Sequence, residues 1–453
     1  MKRKLKFLVL LVALTAFIGV NNAQEKYAVL ITGDYAAEGI PVEEQWGQGV
    51  DNPMPEFWYD TYLTWEMLLE RDYSIENIFV LFADGVDYSI VNPDIIVRYK
   101  PEYNGYDYVT DYSATVSNVN DILSGLATGT GGFPQVTEDD FLFVWVFDHG
   151  FGSGNDSYFN LIDGIMWDYE FAALTDQIPS NKKVFWMQQC WSGGFADNLE
   201  ANNTVFHSAS QPMQNAQPAD NWTVGGDPVD EWDFYWSSPD YYRHGEFNFH
   251  TYSATVGESP AFVDNYNGQP YTEADENSDN YISILESYNW EDTHESRAED
   301  PLYSDLGDIG SNTSLHYPTL LFTDIGGDGM TVSHRGLIGI SKDVHVTSGN
   351  QLNFIANADV YLLNEAKLII DEGASLGLGA NVTIVATNYN NQLVINGSLD
   401  VGDNVAFTSE GPKWDLYLNN HSLQTVFDNT TFEKCELHNY GESLTITNSS
   451  FDD

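Results

Sequence analysis

Cysteine is scarce in this sequence. Cys190 and Cys435 are the only cysteines among 453 residues, which excludes a scaffold held together by several disulfide bonds. The two thiols either form one structural bridge or stay free, and a free thiol in an exported chain needs a chemical reason. The residues around Cys190 favour the free thiol.

Basic residues are also few. Lysine and arginine total 17 against 68 aspartates and glutamates, so the formal net charge is -51. Because phosphate binding needs clustered lysine and arginine, this balance argues against a nucleic-acid partner. The acidity favours either solubility in a salty medium or affinity for divalent cations.

Long apolar stretches are absent after residue 23, so no later segment is predicted to span a bilayer. Residues 1–23 combine a basic start from Lys2 to Lys6, an apolar stretch from Phe7 to Val20 and a small residue at Ala23. This pattern is typical of a cleaved signal peptide, since the alternative, a membrane anchor, needs about 20 apolar residues. We therefore expect a secreted or cell-surface protein.

Short apolar runs alternate with helical stretches in the first half of the chain, which predicts an α/β fold with a mostly parallel sheet flanked by helices. The predicted strands are Tyr27 to Thr32, Ile78 to Phe82, Phe141 to Phe147 and Val184 to Met187. The predicted helices are Phe57 to Leu69, Asn118 to Leu126 and Tyr169 to Thr175. Periodicity is poor from Phe206 to Gly310, where we expect long loops over the sheet.

The composition changes after about Met330. Short β-branched and leucine-rich runs recur at short intervals, separated by alanine, glycine, asparagine and aspartate. This repetition predicts an all-β domain over residues 331–453, built as a right-handed parallel β-helix, with a β-sandwich as the alternative. Since no closing cap is visible before Asp453, we expect the native protein to continue beyond it.

Two predicted strands end in residues that carry chemistry. The strand ending at Phe147 runs into Asp148, His149 and Gly150, and the strand ending at Met187 runs into Cys190. Because parallel sheets place their sites at the carboxyl ends of the strands, both side chains should emerge on the same rim. The intervening chain accommodates one helical crossover, so we expect the two strands to be neighbours.

This pair suits acyl transfer to a thiol followed by hydrolysis. An imidazole can take the thiol proton during attack and later protonate a leaving amine, because its pKa lies near neutrality. Small residues at Gly150, Ser192, Gly193 and Gly194 let a substrate carbonyl approach backbone donors. A lone cysteine is more often an apolar filler and a lone histidine more often structural, but their joint placement favours catalysis.

These residues resemble the clan that contains legumain, caspases, clostripain and gingipains, and they are most similar to legumain. Four pieces in the same order carry the resemblance, which covers about residues 26–200: Tyr27-Ala-Val-Leu-Ile-Thr-Gly, Glu76-Asn-Ile-Phe-Val-Leu-Phe-Ala-Asp, Phe147-Asp-His-Gly and Gln189-Cys-Trp-Ser-Gly-Gly. The resemblance implies a caspase-like sheet in a peptidase domain over residues 24–330, and a protein or peptide substrate.

The resemblance also implies roles for individual residues. Cys190 would be the nucleophile, His149 the acid and base, and the amides of Gly150 and Cys190 the oxyanion hole, with no cofactor for catalysis. Asp148 would either orient the imidazole or cap a loop. Relatives that cleave after asparagine carry an Arg-His pair after the first strand, whereas Phe57 to Tyr62 has neither, so asparagine specificity is not expected.

The acidic segment 275–286 fits a twelve-position calcium loop. Asn280 stands where glycine usually makes the sharp turn, and it is the least costly substitute because asparagine tolerates left-handed backbone. The alternative is an acidic turn in an acidic protein. As a structural calcium site, the loop would use Asp275, Asn277, Asp279, the carbonyl of Tyr281, Ser283 through water, and Glu286.

Two other functions compete with peptidase activity. A catalytically idle caspase-like scaffold could bind a cell surface or a polysaccharide through the β-helix, since the aromatic content of 14% suits sugar stacking as well as a core. A polysaccharide lyase or hydrolase on the β-helix would need convergent acids and bases, and no compact cluster of them is visible from Gly336 onward.

Overall fold

The computed structural model describes residues 24–33, 56–91, 99–154, 156–219, 233–234, 241–242, 244–260, 273–419, 424–441 and 443–452. They form two compact units: an α/β unit (residues 26–322 and 339–342) and a β unit (residues 24–25, 323–338 and 343–453). The predicted signal peptide lies outside the described residues. Among those residues, no helix has the length and apolar character needed to cross a membrane.

In the described part of the chain the α-helices all precede residue 295. They are α1 (Glu56–Glu70), α2 (Tyr88–Val91), α3 (Val116–Thr128), α4 (Asp168–Thr175), α5 (Ala196–Leu199), α6 (Glu246–Val256) and α7 (Ile284–His294). Short 3₁₀ helices lie at Ile75–Asn77, Pro101–Asn104, Ser192–Phe195 and Gly310–Asn312.

The strands before residue 322 are β1 (Lys26–Thr32), β2 (Ile78–Phe82), β3 (Phe141–Phe147), β4 (Gly150–Ser153), β5 (Asp156–Leu161), β6 (Gly164–Trp167), β7 (Lys182–Gln188), β8 (Thr204–Ser208), β9 (Asp233–Phe234), β10 (Tyr241–Tyr242), β11 (Leu302–Ser304) and β12 (Thr319–Leu321). The later strands are β13 (Thr331–His334), β14 (Leu337–Ile340), β15 (Val344–Val346), β16 (Gln351–Phe354), β17 (Asp359–Leu362), β18 (Lys367–Ile370), β19 (Ser375–Leu378), β20 (Thr383–Ala386), β21 (Gln392–Ile395), β22 (Ser398–Val401), β23 (Ala406–Ser409), β24 (Trp414–Leu418), β25 (Gln424–Asp428), β26 (Thr431–Glu433), β27 (Cys435–Asn439), β28 (Ser443–Thr447) and β29 (Ser450–Asp452).

The central sheet of the α/β unit has the strand order β11-β8-β7-β3-β1-β2. All of its pairings are parallel except that of β11 with β8. Every residue of β1 and β3 is buried, because hydrophobic clusters cover both faces of the sheet. Such double burial is why these strands read as continuous apolar runs. The predicted parallel sheet with flanking helices is confirmed.

The expectation of long loops from Phe206 to Gly310 is wrong for much of that segment. Helices α6 and α7 both lie within it, and strand β11 pairs with β8 at the edge of the sheet. These helices bury polar side chains, including Glu246, His250 and Glu291, instead of a regular apolar stripe. Their helical periodicity is therefore hidden from an analysis of apolar spacing.

The β unit consists of short parallel strands stacked in register. One column of register partners runs Leu368, Leu393 and Leu416 on successive strands, all buried. In another column the rings of Phe407, Phe432 and Phe451 stack with centroids 5.4 and 4.6 Å apart. Repeated parallel pairing of this kind confirms the predicted β-helix and not the alternative β-sandwich.

Asparagines form a second kind of ladder at a corner of the β-helix. The side-chain amide of Asn381 donates to the side-chain oxygen of Asn357 at 2.9 Å. The side-chain amide of Asn404 donates to the side-chain oxygen of Asn381, also at 2.9 Å. All three residues have positive φ, between 58° and 67°, which asparagine tolerates better than most residues. The asparagines between the predicted strands therefore make the turns and join successive coils.

Candidate active site

Strand pairing places His149 and Cys190 on the same edge of the central sheet. Phe147 is the register partner of Gln188, and each strand continues for two residues to His149 and Cys190 respectively. The amide of Asp148 donates to the carbonyl of Gln188 at 3.2 Å, which extends the pairing beyond the strand ends. The two side chains thus leave neighbouring parallel strands at equivalent positions.

Cys190 lies at a sharp change of chain direction. Its thiol is half-buried and is not in a disulfide, and neither is that of Cys435. Trp191 follows with a left-handed backbone, φ 66°, and its amide donates to the carbonyl of Gln214 at 2.6 Å. A β-carbon on Gly193 would lie 2.4 Å from the carbonyl oxygen of Ser210, so this turn requires glycine there.

Asp148 holds the loop that carries His149. One carboxylate oxygen accepts from the amide of His149 at 2.5 Å, and the other accepts from the amide of Gly33 at the end of β1. Asp148 is buried, whereas His149 is exposed. These bonds favour the loop-capping role among the two alternatives for Asp148. The ring of Phe57 contacts the imidazole edge-on, with centroids 5.4 Å apart.

Gly150 allows the two chain segments to approach closely. A β-carbon at this position would lie 2.5 Å from the carbonyl oxygen of Cys190 and 2.8 Å from that of Tyr158. Gly150 also begins β4, which pairs with β5 in a small antiparallel sheet inserted between β3 and α4. The sequence analysis predicted a helical crossover here and missed this sheet.

An aromatic pair lies beside Cys190. The rings of Phe151 and Trp191 are tilted against each other with centroids 4.8 Å apart, and Phe151 is 54% exposed. A β-carbon on Gly152 would lie 2.3 Å from the Trp191 ring, so glycine makes room for this packing. The pair gives the edge of the sheet an apolar wall next to the thiol.

Both groups of the candidate pair favour their neutral forms. Desolvation by surrounding protein lowers the pKa of the His149 imidazole from 6.5. Burial raises the pKa of the Cys190 thiol from its ordinary value, and backbone hydrogen bonding at Ala216 and at Cys190 itself opposes this shift only in part. The sulfur lies 3.9 Å from the carbonyl oxygen of Ala216. Desolvation thus favours the neutral imidazole and the protonated thiol.

A buried polar network supports the strand that leads to Cys190. Asp60 on α1 accepts from the ring Nδ1 of His244 at 2.6 Å, from the amide of Gly245 at 2.8 Å and from the side chain of Asn248 at 3.0 Å. The amide of Asn248 in turn donates to the side chain of Gln188 at 2.9 Å. The aspartate inside the apolar run of α1 indicates a buried polar residue, but the sequence does not indicate its partners.

The predicted calcium loop folds back on its own backbone. The carboxylate of Asp275 accepts from the amides of Asp279 and Asn280, at 3.0 and 2.7 Å. The carboxylate of Glu286 accepts from the side-chain amide of Asn277 and from the backbone amide of Ser283, the residue that caps α7. Asn280 has φ 68°, the left-handed turn that this position needs.

The loop does not gather its three carboxylates tightly. Asp275, Asp279 and Glu286 are not among the groups of acidic, histidine or cysteine side chains whose ligand atoms all lie within 4.8 Å of one another in the described residues. Their oxygens accept from backbone and side-chain donors instead, including the hydroxyl of Ser341 on Asp279 at 2.8 Å. The side chain of Lys342 donates to the carbonyl of Asn277.

The β unit contains one acid and imidazole cluster that the sequence analysis did not find. Asp415, Glu436 and His438 bring ligand atoms within 4.8 Å of one another. His438 lies 2.7 Å from the Asp415 carboxylate, because Asp415 and Glu436 are register partners on adjacent coils. The cluster is half-exposed to exposed, and Asp415 lies on a different strand from Glu436 and His438.

Comparison with known proteins gives a family match. Residues 59–219 match the family model of the Peptidase C13 family, the legumain family. The matched stretch contains β3, β7, His149 and Cys190. It confirms the legumain-like resemblance and supports a cysteine peptidase. A search of curated proteins gave no match.

Replacing Asp60 should destabilise the α/β unit. Asp60→Ala leaves His244, Gly245 and Asn248 without their shared acceptor, so we expect the free energy of unfolding to fall by about 3 kcal/mol. Glu66→Ala, on the same helix but at a less buried position, should cost less than about 1 kcal/mol. Urea denaturation followed by tryptophan fluorescence measures both; equal losses would contradict a supporting role for the network.

Proposed function

We propose that the protein is a secreted cysteine endopeptidase in which Cys190 is the nucleophile and His149 the acid and base. The observation that carries this proposal is the register of β3 with β7, which brings the ends of the strands that lead to these two residues to one edge of the sheet. The match of residues 59–219 to a cysteine peptidase family supports the same chemistry. Secretion rests on the signal-like residues 1–23.

The proposed reaction proceeds by acyl transfer. The sulfur of Cys190 attacks the carbonyl carbon of the scissile peptide while its proton passes to the imidazole of His149. The negative oxygen of the tetrahedral intermediate is stabilised by the amides of Gly150 and Cys190. The amine then leaves with the proton from His149, and water, deprotonated by His149, hydrolyses the thioester to release the carboxylate and restore the thiol.

The neutral state of the pair determines how the thiol is activated. Because burial favours the protonated thiol, the proton must leave sulfur during the attack and not before it. Because desolvation favours the unprotonated imidazole, His149 is available as a base at neutral pH.

We also propose that residues 275–286 bind a structural calcium ion. Three features support the assignment: the left-handed turn at Asn280, the helix α7 that leaves the loop, and the side-chain oxygen of Asn277, which is buried without a hydrogen-bond partner. Calcium would draw Asp275, Asp279 and Glu286 toward a common centre. It would also offset the burial that raises the pKa values of Asp279 and Glu286.

Loss of the thiol should abolish hydrolysis. Cys190→Ala is expected to lower kcat/KM on a library of fluorogenic peptides by roughly a thousand-fold or more, because the nucleophile is gone. Cys435→Ala, which removes the other free thiol, should leave kcat/KM unchanged. Equal cleavage by the wild type and Cys190→Ala would contradict the proposal.

The pH dependence of kcat/KM and of thiol alkylation should show that the imidazole of His149 and the thiol of Cys190 are both neutral in the free enzyme. Since the pKa of His149 is lowered, the base stays unprotonated as pH falls through 6.5, and the acid limb of kcat/KM should lie below that pH. Since the pKa of Cys190 is raised, alkylation of the free enzyme by iodoacetamide should still increase with pH above 9.0. An alkylation rate that is already constant between pH 6 and 8 would show a preformed ion pair and contradict this mechanism.

Calcium should protect the loop locally. Addition of calcium is expected to slow amide hydrogen exchange across residues 275–286, since ligation fixes the backbone. Asp275→Asn should abolish this protection, whereas Glu276→Gln, an exposed position in the same loop, should retain it. Protection that persists in Asp275→Asn, or is absent from the wild type, would exclude the loop as a calcium site.

A further inference from the structure

Three glutamates come together inside the α/β unit, apart from His149 and Cys190. Glu291 belongs to α7, and Glu295 and Glu299 follow it along the chain. One carboxylate oxygen from each lies within 4.8 Å of the others. Glu291 is 0% exposed and Glu299 is 3% exposed, so two of the three side chains are removed from solvent.

Each of the three carboxylates has one oxygen fixed by a protein donor. An oxygen of Glu291 lies 3.3 Å from Nε2 of His207. An oxygen of Glu295 accepts from the amide of Arg297 at 2.5 Å, and an oxygen of Glu299 accepts from the amide of Gln217 at 2.5 Å. These three bonds hold the side chains in fixed orientations.

The second oxygen of each carboxylate is buried and, in the described part of the chain, meets no hydrogen-bond donor other than a protonated neighbouring carboxyl, since Glu295 and Glu299 form a side-chain hydrogen bond when one of them holds the proton. These atoms are Oε1 of Glu291, Oε2 of Glu295 and Oε1 of Glu299. A buried carboxylate oxygen without a donor costs free energy, and three such oxygens in one group multiply that cost. The arrangement is that of a ligand set: one oxygen of each side chain is anchored and one is available.

The charged groups that act most strongly on the three glutamates include no lysine or arginine. Those groups are Glu246, Asp292 and His250, besides the three glutamates themselves. Glu246 is buried on the neighbouring helix α6, where its carboxylate lies 3.5 Å from Nε2 of His250 and accepts from the amide and hydroxyl of Ser296. The interior therefore holds more buried carboxylates than positive groups.

We propose that Glu291, Glu295 and Glu299 bind one calcium ion in the interior of the α/β unit. Carboxylate oxygens are the ligands that hard divalent cations prefer, and calcium accepts them singly or in pairs at 2.3–2.6 Å. Oxygens on opposite sides of such an ion are about 5 Å apart, which agrees with the observed grouping. Magnesium usually keeps several waters and suits a site this buried less well.

Protonation is the competing way to stabilise the cluster. Burial and mutual repulsion raise the pKa values of Glu291, Glu295 and Glu299, so protons compete with a cation for these carboxylates. Binding of calcium must then release protons, and the affinity should rise with pH. The two states are distinguishable because only one of them binds calcium.

The ion would stabilise the chain segment next to the candidate nucleophile. Gln217, whose amide donates to Glu299, accepts through its carbonyl from the side chain of Gln188 at 3.2 Å. The preceding residue, Ala216, presents its carbonyl to the sulfur of Cys190. This site is independent of the proposed peptidase activity, since binding is measured directly and the cluster exists whether or not Cys190 is catalytic.

Equilibrium dialysis against calcium tests the proposal on the full chain after chelation. Glu295→Gln/Glu299→Gln should bind one calcium ion fewer per chain than the wild type, whereas Asp292→Asn, an exposed acid on α7, should bind as many as the wild type. Calcium should still raise the Tm of Asp275→Asn, because the glutamate cluster is intact in that variant. Adding Glu295→Gln and Glu299→Gln to Asp275→Asn should abolish this remaining rise in Tm. An unchanged number of bound ions would overturn the site, as would saturation by magnesium or manganese but not calcium.

Terbium luminescence tests for the ion on the folded wild-type protein, so it does not depend on whether the double variant folds. Trp290 precedes Glu291 on α7, so light absorbed by tryptophan should sensitise terbium bound at the cluster in the wild type. Calcium should compete the signal away, and Trp290→Phe should reduce it. No calcium-sensitive terbium signal in the folded wild-type protein would overturn the proposal.

Discussion

The parallel pairing of β3 with β7 is the constraint on which the candidate site depends. Seven consecutive register pairs, from Phe141 with Lys182 to Phe147 with Gln188, fix the two strands relative to each other. Since hydrophobic clusters bury both faces of the sheet, a shift of register would expose apolar side chains or bury polar ones. The positions of His149 and Cys190 are therefore set by the packing of residues that have no chemical role.

The polar interior of the α/β unit completes this arrangement. Asp60, His244 and Asn248 form one hydrogen-bonded group that ends on Gln188, two residues before Cys190. Glu291, Glu295 and Glu299 form a second buried polar group. Glu299 accepts from the amide of Gln217, whose carbonyl accepts from the side chain of Gln188 on the same strand. Buried polar atoms are costly where they are unpaired, and the hydrogen bonds that these groups do make fix the chain around the thiol. Stability and site geometry are thus determined by the same contacts.

The sequence predicted the parts of the fold in which local pattern and tertiary environment agree. Strands β1, β3 and β7 are apolar on both sides, and the coils of the β unit repeat buried aliphatic positions such as Leu368 and Leu393, so both were visible. Helix α6 was missed because it buries polar residues. The network around Asp60 could not be predicted, since its partner His244 lies 184 residues away and neither residue marks a local motif.

The most direct test of the account is to map where a peptidyl acyloxymethylketone modifies the native protein. A catalytic thiol at this position predicts a covalent label on Cys190 and none on Cys435 when the digested protein is analysed by mass spectrometry. A catalytic imidazole predicts that His149→Ala reduces the labelling rate strongly while the protein stays folded. Equal labelling of both thiols, or a rate at Cys190 no greater than that of a small thiol in solution, would contradict a catalytic pair at this edge of the sheet.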